Sequence, residues 1–125
     1  MSKSHKARLG TCLIQFCKFL KCYRIMALRH IVLVKVAKKE DASICVEELK
    51  KMRESLKPHV PILSFIIFEN IGTYGSADVV LIVDFPDAAT LKLYQEHPLH
   101  LTVVQNNRSI TTEWLSIQIP LSLFE

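Results

Sequence analysis

Two histidines, His97 and His100, stand three residues apart with Pro98 between them. If Pro98 opens a helix, His100 lies in its first turn, where the positive end of the helix dipole disfavours the imidazolium form. A neutral imidazole can act as a general base or as a ligand. Tyr94 on the preceding helix and His30 at the start of a strand could reach the same space. The residue types therefore predict the catalytic candidates Tyr94, His100 and His30. The predicted ligand-binding site consists of the same three residues and His97.

Each of these residues also has a purely structural interpretation. His97 could cap the end of a helix, and His100 could bond to a backbone carbonyl. Tyr94 could be a core residue with its hydroxyl at the rim, and His30 could be a paired residue at a sheet edge. We predict no metal site, because neither a carboxylate nor a third histidine stands at ligand spacing from the two histidines, Glu96 being the nearest candidate. We also predict no cofactor.

The elements that must position these residues follow from apolar patterning and turn signals. Runs of strand length alternate with segments of helical periodicity, and prolines, glycines or a capping aspartate separate them. The order is strand, helix, strand, strand, split helix, strand. It predicts a ferredoxin-like βαββαβ fold of the α+β class, with one four-stranded antiparallel sheet. The predicted strands are His30–Val36, Ile62–Glu69, Val79–Phe85 and Thr111–Ile119, and the predicted helices cover residues 42–57, residues 88–96 and a segment from Pro98.

Helical spacing also predicts which side chains face the core. In the last helix we expect Leu101 and Val104 on the core side. In the first helix the apolar stripe recurs at intervals of four, three and four residues and consists of Cys45, Leu49, Met52 and Leu56.

The strands are too apolar for a sheet with one face in water. Helices can cover only one face of such a sheet, and strands open to solvent on the other face should alternate apolar and polar residues. Val79–Val83 is apolar at five consecutive positions, and Ile31–Val34 and Phe65–Phe68 are apolar on both faces. We therefore expect a homodimer through the sheet faces. The alternative is that the N-terminal residues cover this face within one chain.

Residues 1–25 differ from the rest of the chain, so we divide the sequence into a basic N-terminal extension and a domain of residues 26–125. Six of the sixteen Lys and Arg residues and none of the twelve Asp and Glu residues lie in the extension, which leaves a net charge of −2 for the domain. The basic pI therefore does not indicate nucleic-acid binding. The extension could be an amphipathic helix on a membrane surface or partner, a targeting peptide, or an addition from an upstream start codon with Met26 as the working start.

The cysteines indicate a reducing compartment. Cys12, Cys17, Cys22 and Cys45 form no C-x-x-C pair, so a zinc site is unsupported. The extension also lacks the continuous apolar region of a secretory signal. We expect reduced thiols in a cytoplasmic protein.

Three segments together resemble the stress-responsive dimeric A/B-barrel domain family: Arg29-His-Ile-Val-Leu-Val-Lys35, Asp87-Ala-Ala-Thr-Leu-Lys-Leu-Tyr94 and His97-Pro-Leu-His100. The resemblance implies a ferredoxin-like sheet that dimerises into an α/β barrel. Some plant members of this family are polyketide cyclases, in which a Tyr–His pair promotes an intramolecular aldol condensation of a poly-β-ketone. Tyr94 and His100 match that pair, and His30 matches a further pocket histidine. The third strand departs from the cyclases, since it opens with Ala77-Asp78-Val79 where they carry Tyr-Thr-His.

Three functions remain open at this point. The first is a dimeric binding module that holds a small hydrophobic molecule between helices and sheet. The second is a small cofactor-free enzyme, a cyclase or a related monooxygenase, that uses Tyr94 and His100 as an acid/base pair. The third is a structural protein whose dimers stack into stress-stable oligomers. An open pocket beside His100 would favour the first two, and a side chain filling that space would favour the third.

Overall fold

The computed structural model describes residues 26–72 and 74–121, so every prediction for the N-terminal extension lies outside the described residues. None of the helices in these ranges is both long and apolar enough to cross a lipid bilayer. A short 3-10 turn, Lys39–Asp41, precedes the first helix. The strands are β1 (Leu28–Val36), β2 (Ser64–Glu69), β3 (Val79–Phe85) and β4 (Thr111–Pro120), and the α-helices are α1 (Ala42–Leu56), α2 (Ala88–Glu96) and α3 (Pro98–Asn106).

The four strands form one antiparallel sheet in the order β2-β3-β1-β4. This arrangement confirms the predicted ferredoxin-like α+β fold, including the split of the second helical segment at His97. The strand β1 begins two residues before the predicted start, because Leu28 pairs with Phe85 on one side and with Pro120 on the other. β4 and β2 are the edges of the sheet.

The core lies between the helices and one face of the sheet. Alternate residues of β1 and β3 are buried there, as the two-residue period of a strand requires. The apolar stripe of α1 is buried as predicted, from Cys45 to Leu56. These side chains form one continuous apolar cluster with the inner residues of the strands.

The prediction for the last helix was wrong at Leu101, whose surface is 54% exposed, whereas Val103 is buried. Leu99 also packs against the core, one helical turn before Val103. Apolar residues stand at 99, 101, 103 and 104, so more than one face of this nine-residue helix could have been the buried one. Periodicity could not choose between these faces, and packing against α1 and α2 decides which one is buried.

The interruption of the helix between α2 and α3 follows from the local sequence. Asp87 caps α2 by accepting a hydrogen bond from the Thr90 amide at 2.8 Å. His97 has an extended backbone and ends α2, and Pro98 then occupies the first turn of α3, where its missing N–H costs nothing. The turn places the end of α2 beside the beginning of α3.

The face of the sheet that points away from the helices, here called the open face, is largely apolar. Its positions alternate with the buried ones along β1 and β3. It carries one ion pair, in which Arg29 donates to both carboxylate oxygens of Asp84 at 2.9 and 3.1 Å. The apolar residues of the open face are Ile31, Leu33, Ile66, Phe68, Val80, Ile82, Leu115, Ile117 and Ile119.

Candidate functional site

A cavity of about 210 Å³ lies between the helices and the sheet. It is smaller than the roughly 300–1,000 Å³ of sites for drug-sized ligands, so its size suits a small molecule. β1, β3, β4 and all three helices contribute to its wall. The aliphatic part of that wall consists of Val32, Leu49, Met52, Leu81, Val103 and Val104.

The remaining wall is polar or aromatic but carries no formal charge. No Asp, Glu, Lys or Arg side chain lines the cavity in the part of the chain that the structure describes. An uncharged, mostly apolar wall with a few polar groups is the usual composition of a small-molecule site. The polar and aromatic lining residues are His30, Tyr94, Gln95, His100, Trp114 and Ser116.

Tyr94 and His100 are close neighbours in this cavity, with ring centroids 4.6 Å apart. Tyr94 lies in the last turn of α2 and His100 in the first turn of α3, so the break at His97 brings them together across six residues of sequence. The Tyr94 ring is almost fully buried. The expected proximity of these two side chains is therefore present.

His30 joins the pair from the sheet. It lies on the helix-facing side of β1, is only 3% exposed, and has its ring centroid 6.2 Å from that of Tyr94. Its Nδ1 lies 2.7 Å from the side-chain amide nitrogen of Gln118 on β4. The structure therefore gathers all three catalytic candidates, His30, Tyr94 and His100, at one cavity.

Burial keeps these groups uncharged near neutral pH. Desolvation, together with a smaller contribution from the positive charge that His100 could carry, lowers the pKa of His30 to about 4. Desolvation also lowers the pKa of His100, against the hydrogen bond to Gln95, which raises it. Burial raises the pKa of the Tyr94 phenol. The neutral form of His100 was expected from the helix dipole, and here its main cause is loss of solvation.

One backbone contact fixes the proton on His100. Its Nδ1 lies 3.0 Å from the main-chain carbonyl oxygen of Gln95, in the last turn of α2. A carbonyl oxygen can only accept, so Nδ1 carries the hydrogen and donates it. In a neutral ring Nε2 is then unprotonated and free to accept a proton or a hydrogen bond.

The structure does not bring His97 to the cavity. Its Nδ1 accepts a hydrogen bond from the Leu99 amide at 3.1 Å, so it acts as the N-cap of α3. Its ring stacks against that of His59, with centroids 5.7 Å apart. His97 therefore has the contacts of a helix cap, and it does not line the cavity.

Four polar or aromatic contributors were not foreseen, namely Gln95, Trp114, Ser116 and Gln118. The last three stand at alternate positions of β4, on the side that faces the helices. Alternation of polar and apolar residues near the end of β4 indicates that its two faces have different surroundings, but the usual pattern would have placed the polar side chains in solvent. The contact with the backbone carbonyl of Gln95 could not be predicted from the sequence, because any residue type would supply a carbonyl oxygen at this position.

The third strand contributes Leu81 to the cavity, whereas Val79 is fully buried in the apolar core. Val79 is the last residue of Ala77-Asp78-Val79, the segment where the plant cyclases carry Tyr-Thr-His. This position therefore supplies no polar group to the site.

The model of the family "Stress responsive A/B Barrel Domain" matches residues 28–120. No curated protein matches the chain at a significant level. Many solved structures do, and they share the fold at low sequence identity.

Three of these structures illustrate the range. A dimeric protein of unknown function with a ferredoxin-like fold from Bacteroides fragilis has 18% identity and a TM-score of 0.68, covering 79% of this chain and 100% of its own. A Dabb family protein from Mesorhizobium loti has 19% identity and a TM-score of 0.55, covering 78% and 99%. An antibiotic biosynthesis monooxygenase has 15% identity and a TM-score of 0.63, covering 77% and 99%. At these identities the likeness shows the fold alone.

Proposed function

The chain belongs to the stress-responsive A/B barrel domain family, and on that premise we propose that it works as a homodimer that binds a small, largely apolar molecule between its helices and its sheet. The observation that carries the proposal is the uncharged cavity on which His30, Tyr94 and His100 converge. An apolar pocket with a few convergent polar groups whose pKa values are shifted is a typical binding site.

The open face supports the homodimer. Its nine apolar side chains include Ile66, Phe68, Leu115 and Ile117, each between 43% and 56% exposed. A contiguous exposed patch of this kind is rare in a monomer, whereas one self-complementary contact with a second copy covers it on both subunits. The B. fragilis structure is described as dimeric, as are similar proteins from Thermobifida fusca and Jannaschia.

Sedimentation of residues 26–125 tests the dimer. The wild-type domain should sediment as a dimer, and Ile117→Asp should shift it to the monomer, because a charge on the open face would have to be desolvated in the interface. Ile44→Asp is the matched control, since Ile44 is 52% exposed against 56% for Ile117 but lies on α1. A wild-type domain that stays a stable monomer at high protein concentration would refute the homodimer.

Filling the cavity tests the ligand site. Cyclohexanol binding to the wild-type protein should perturb the amide resonances of lining residues in two-dimensional NMR spectra. Val104→Trp places a large ring at the wall and should abolish this effect, whereas Leu101→Trp, on the exposed side of the same helix, should not. Equal perturbation in both variants would place the binding elsewhere.

A second function, a cofactor-free enzyme, is favoured by one specific observation. The unprotonated Nε2 of His100 and the hydroxyl of Tyr94 belong to rings 4.6 Å apart. His100 could take a proton from a carbon beside a carbonyl group while Tyr94 donates a hydrogen bond to the developing oxyanion. This chemistry would suit a cyclase of the kind that the family resemblance implies.

Turnover of a linear poly-β-ketone tests the enzyme proposal. His100→Ala and Tyr94→Phe should each abolish it while leaving the dimer intact, and His59→Ala, on the exposed surface, should not. Wild-type activity in the first two variants would reject this function.

The open cavity beside His100 supports these two functions over the third, a purely structural oligomer, which a filled cavity would have favoured. A cytoplasmic location and membrane contact through residues 1–25 remain predictions from the sequence. Fractionation of cells that express the full chain and residues 26–125 separately would test both.

A further inference from the structure

The two histidines of the cavity are held by partners of different kinds. His100 donates its Nδ1 hydrogen to a backbone carbonyl, which fixes Nε2 as an acceptor. His30 instead contacts the side-chain amide of Gln118, whose nitrogen lies 2.7 Å from Nδ1. An amide nitrogen of glutamine can only donate, so His30 Nδ1 must accept.

We propose that Gln118 is a positioning residue that fixes His30 as the tautomer with its hydrogen on Nε2, so that the cavity offers one imidazole donor and one imidazole acceptor. His30 then presents an N–H where His100 presents a lone pair. Tyr94, whose hydroxyl can donate and accept, belongs to the same wall.

The backbone pairing explains why Gln118 can perform this role. It stands directly opposite His30 in the β1–β4 ladder, on the face that the helices cover. Side chains at opposite positions of antiparallel strands have Cβ atoms about 4.5–5.5 Å apart, so the contact needs no loop or ligand to form it. Because β4 is an edge strand, Gln118 remains more exposed than the nearly fully buried His30 that it orients.

A donor and an acceptor in an uncharged cavity define the chemistry of the ligand. A hydroxyl group can accept from His30 and donate to His100 at once, whereas a carboxylate cannot donate and an ammonium group cannot accept. Either charged group would also lose its hydration without a counter-charge in the wall. We therefore expect an uncharged molecule that carries a hydroxyl or enol group, an expectation that rests on the proposed ligand site.

The tautomer can be measured without any ligand. Long-range nitrogen–proton NMR spectra of the ¹⁵N-labelled protein, with the histidines assigned by substitution, should give His30 a protonated Nε2 and an unprotonated Nδ1. His100 should show the reverse pattern. A His30 ring protonated on Nδ1 in the wild-type protein would overturn the proposal.

Three variants test the role of Gln118. Gln118→Met removes the donor and should give His30 a mixture of tautomers. Gln118→Glu can only accept, so at a pH where the ring is neutral it should move the hydrogen to Nδ1. Gln105→Met, at an exposed position on α3, should leave the His30 pattern unchanged. The His100 pattern should stay the same in all three. Unchanged His30 signals in both Gln118 variants would show that Gln118 does not set the tautomer.

Cyclohexanol, cyclohexanecarboxylate and cyclohexylamine, which share one ring, test the ligand chemistry. Only cyclohexanol should bind and shift both Nε2 resonances, and Gln118→Met should weaken it by up to roughly tenfold, the effect of one lost hydrogen bond. Equal binding of the charged compounds would overturn the inferred ligand class. Absence of binding by all three, with the expected tautomers present, would instead count against the proposed ligand site.

Discussion

Tyr94, His100 and His30 occupy the same cavity but owe their places to different constraints. Tyr94 is held by packing, with rings of His30, Phe65 and Phe85 around it. His100 is held by a backbone carbonyl and His30 by a side chain on the neighbouring strand. At Tyr94 a substitution can therefore remove the polar group and keep the ring, so the contributions of the two to stability can be measured separately.

Tyr94→Phe and Tyr94→Ala should differ greatly in stability. Tyr94→Phe keeps the buried ring and its aromatic contacts and removes only the hydroxyl, so it should change the free energy of unfolding by less than about 1 kcal/mol. Loss of the buried ring should cost about 3–5 kcal/mol. Urea unfolding of both variants measures this, and a large loss in Tyr94→Phe would mean that the hydroxyl has a structural partner.

Stability should rise with pH between about 4 and 6.5 because of His30. Its pKa is lowered from 6.5 to about 4 in the folded protein, so within this interval the unfolded chain binds the additional proton. The same direction holds for His100. The stabilisation is complete above pH 6.5 and is lost as pH falls toward 4.

Urea unfolding at several pH values measures this dependence. The slope should be smaller in His30→Met than in the wild-type protein, whereas His59→Met, at the surface, should retain it. An undiminished slope in His30→Met would mean that other groups cause it.

At the level of elements, the end of α3 is joined to β4 by a buried polar residue. Asn107 is 1% exposed, and its side-chain amide donates to the Val103 carbonyl at 2.9 Å. Its own carbonyl accepts from the amides of Ile110 and Thr111 and from the Thr111 hydroxyl. These bonds satisfy the last groups of α3 and set the start of the strand that carries Gln118.

Asn107→Leu should therefore destabilise the protein by about 1–3 kcal/mol, since it leaves the Val103 carbonyl without its side-chain partner and forces a larger side chain into a filled space. Asn106→Leu, at the exposed preceding position, should change stability by less than about 0.5 kcal/mol. Thermal unfolding followed by circular dichroism compares the two, and equal losses would contradict the role assigned to Asn107.

At the scale of the whole molecule, the open face and the cavity lie on opposite sides of one sheet. β1 contributes to both, with His30 and Val32 directed to the cavity and Ile31 and Leu33 to the open face. Burial of the open face by a second copy would stabilise these strands on the side opposite to the cavity. The proposed dimer therefore belongs to the folding of the domain as well as to its assembly.

The unfolding temperature of residues 26–125 should consequently rise with protein concentration, because unfolding of a dimer also dissociates it. Scanning calorimetry at two widely separated concentrations measures the shift. Ile117→Asp should lower the unfolding temperature and remove its dependence on concentration, and Ile44→Asp should preserve the dependence. A concentration-independent wild-type transition would indicate that the monomer folds alone.

Much of the fold and part of the site follow from sequence alone. The β-branched apolar run of His30–Val36 predicts a strand, and the period of about 3.6 in Ala42–Leu56 predicts a helix. Asp87 and Pro98 mark helix starts by local bonding. These signals depend only on residues that are close in sequence, so they can be read without knowing which elements pack together. They also sufficed to pair Tyr94 with His100, which one helix break separates.

Only the tertiary structure decided contacts between residues far apart in sequence. Gln118 meets His30 across 88 positions because β1 and β4 pair in one register, and no local pattern fixes that register. The buried face of α3 was ambiguous for the same reason, since Leu101 and Val103 are both apolar and only packing against the other helices selects one of them. Local periodicity fixes the elements, whereas their pairing sets the proton positions and the shape of the cavity.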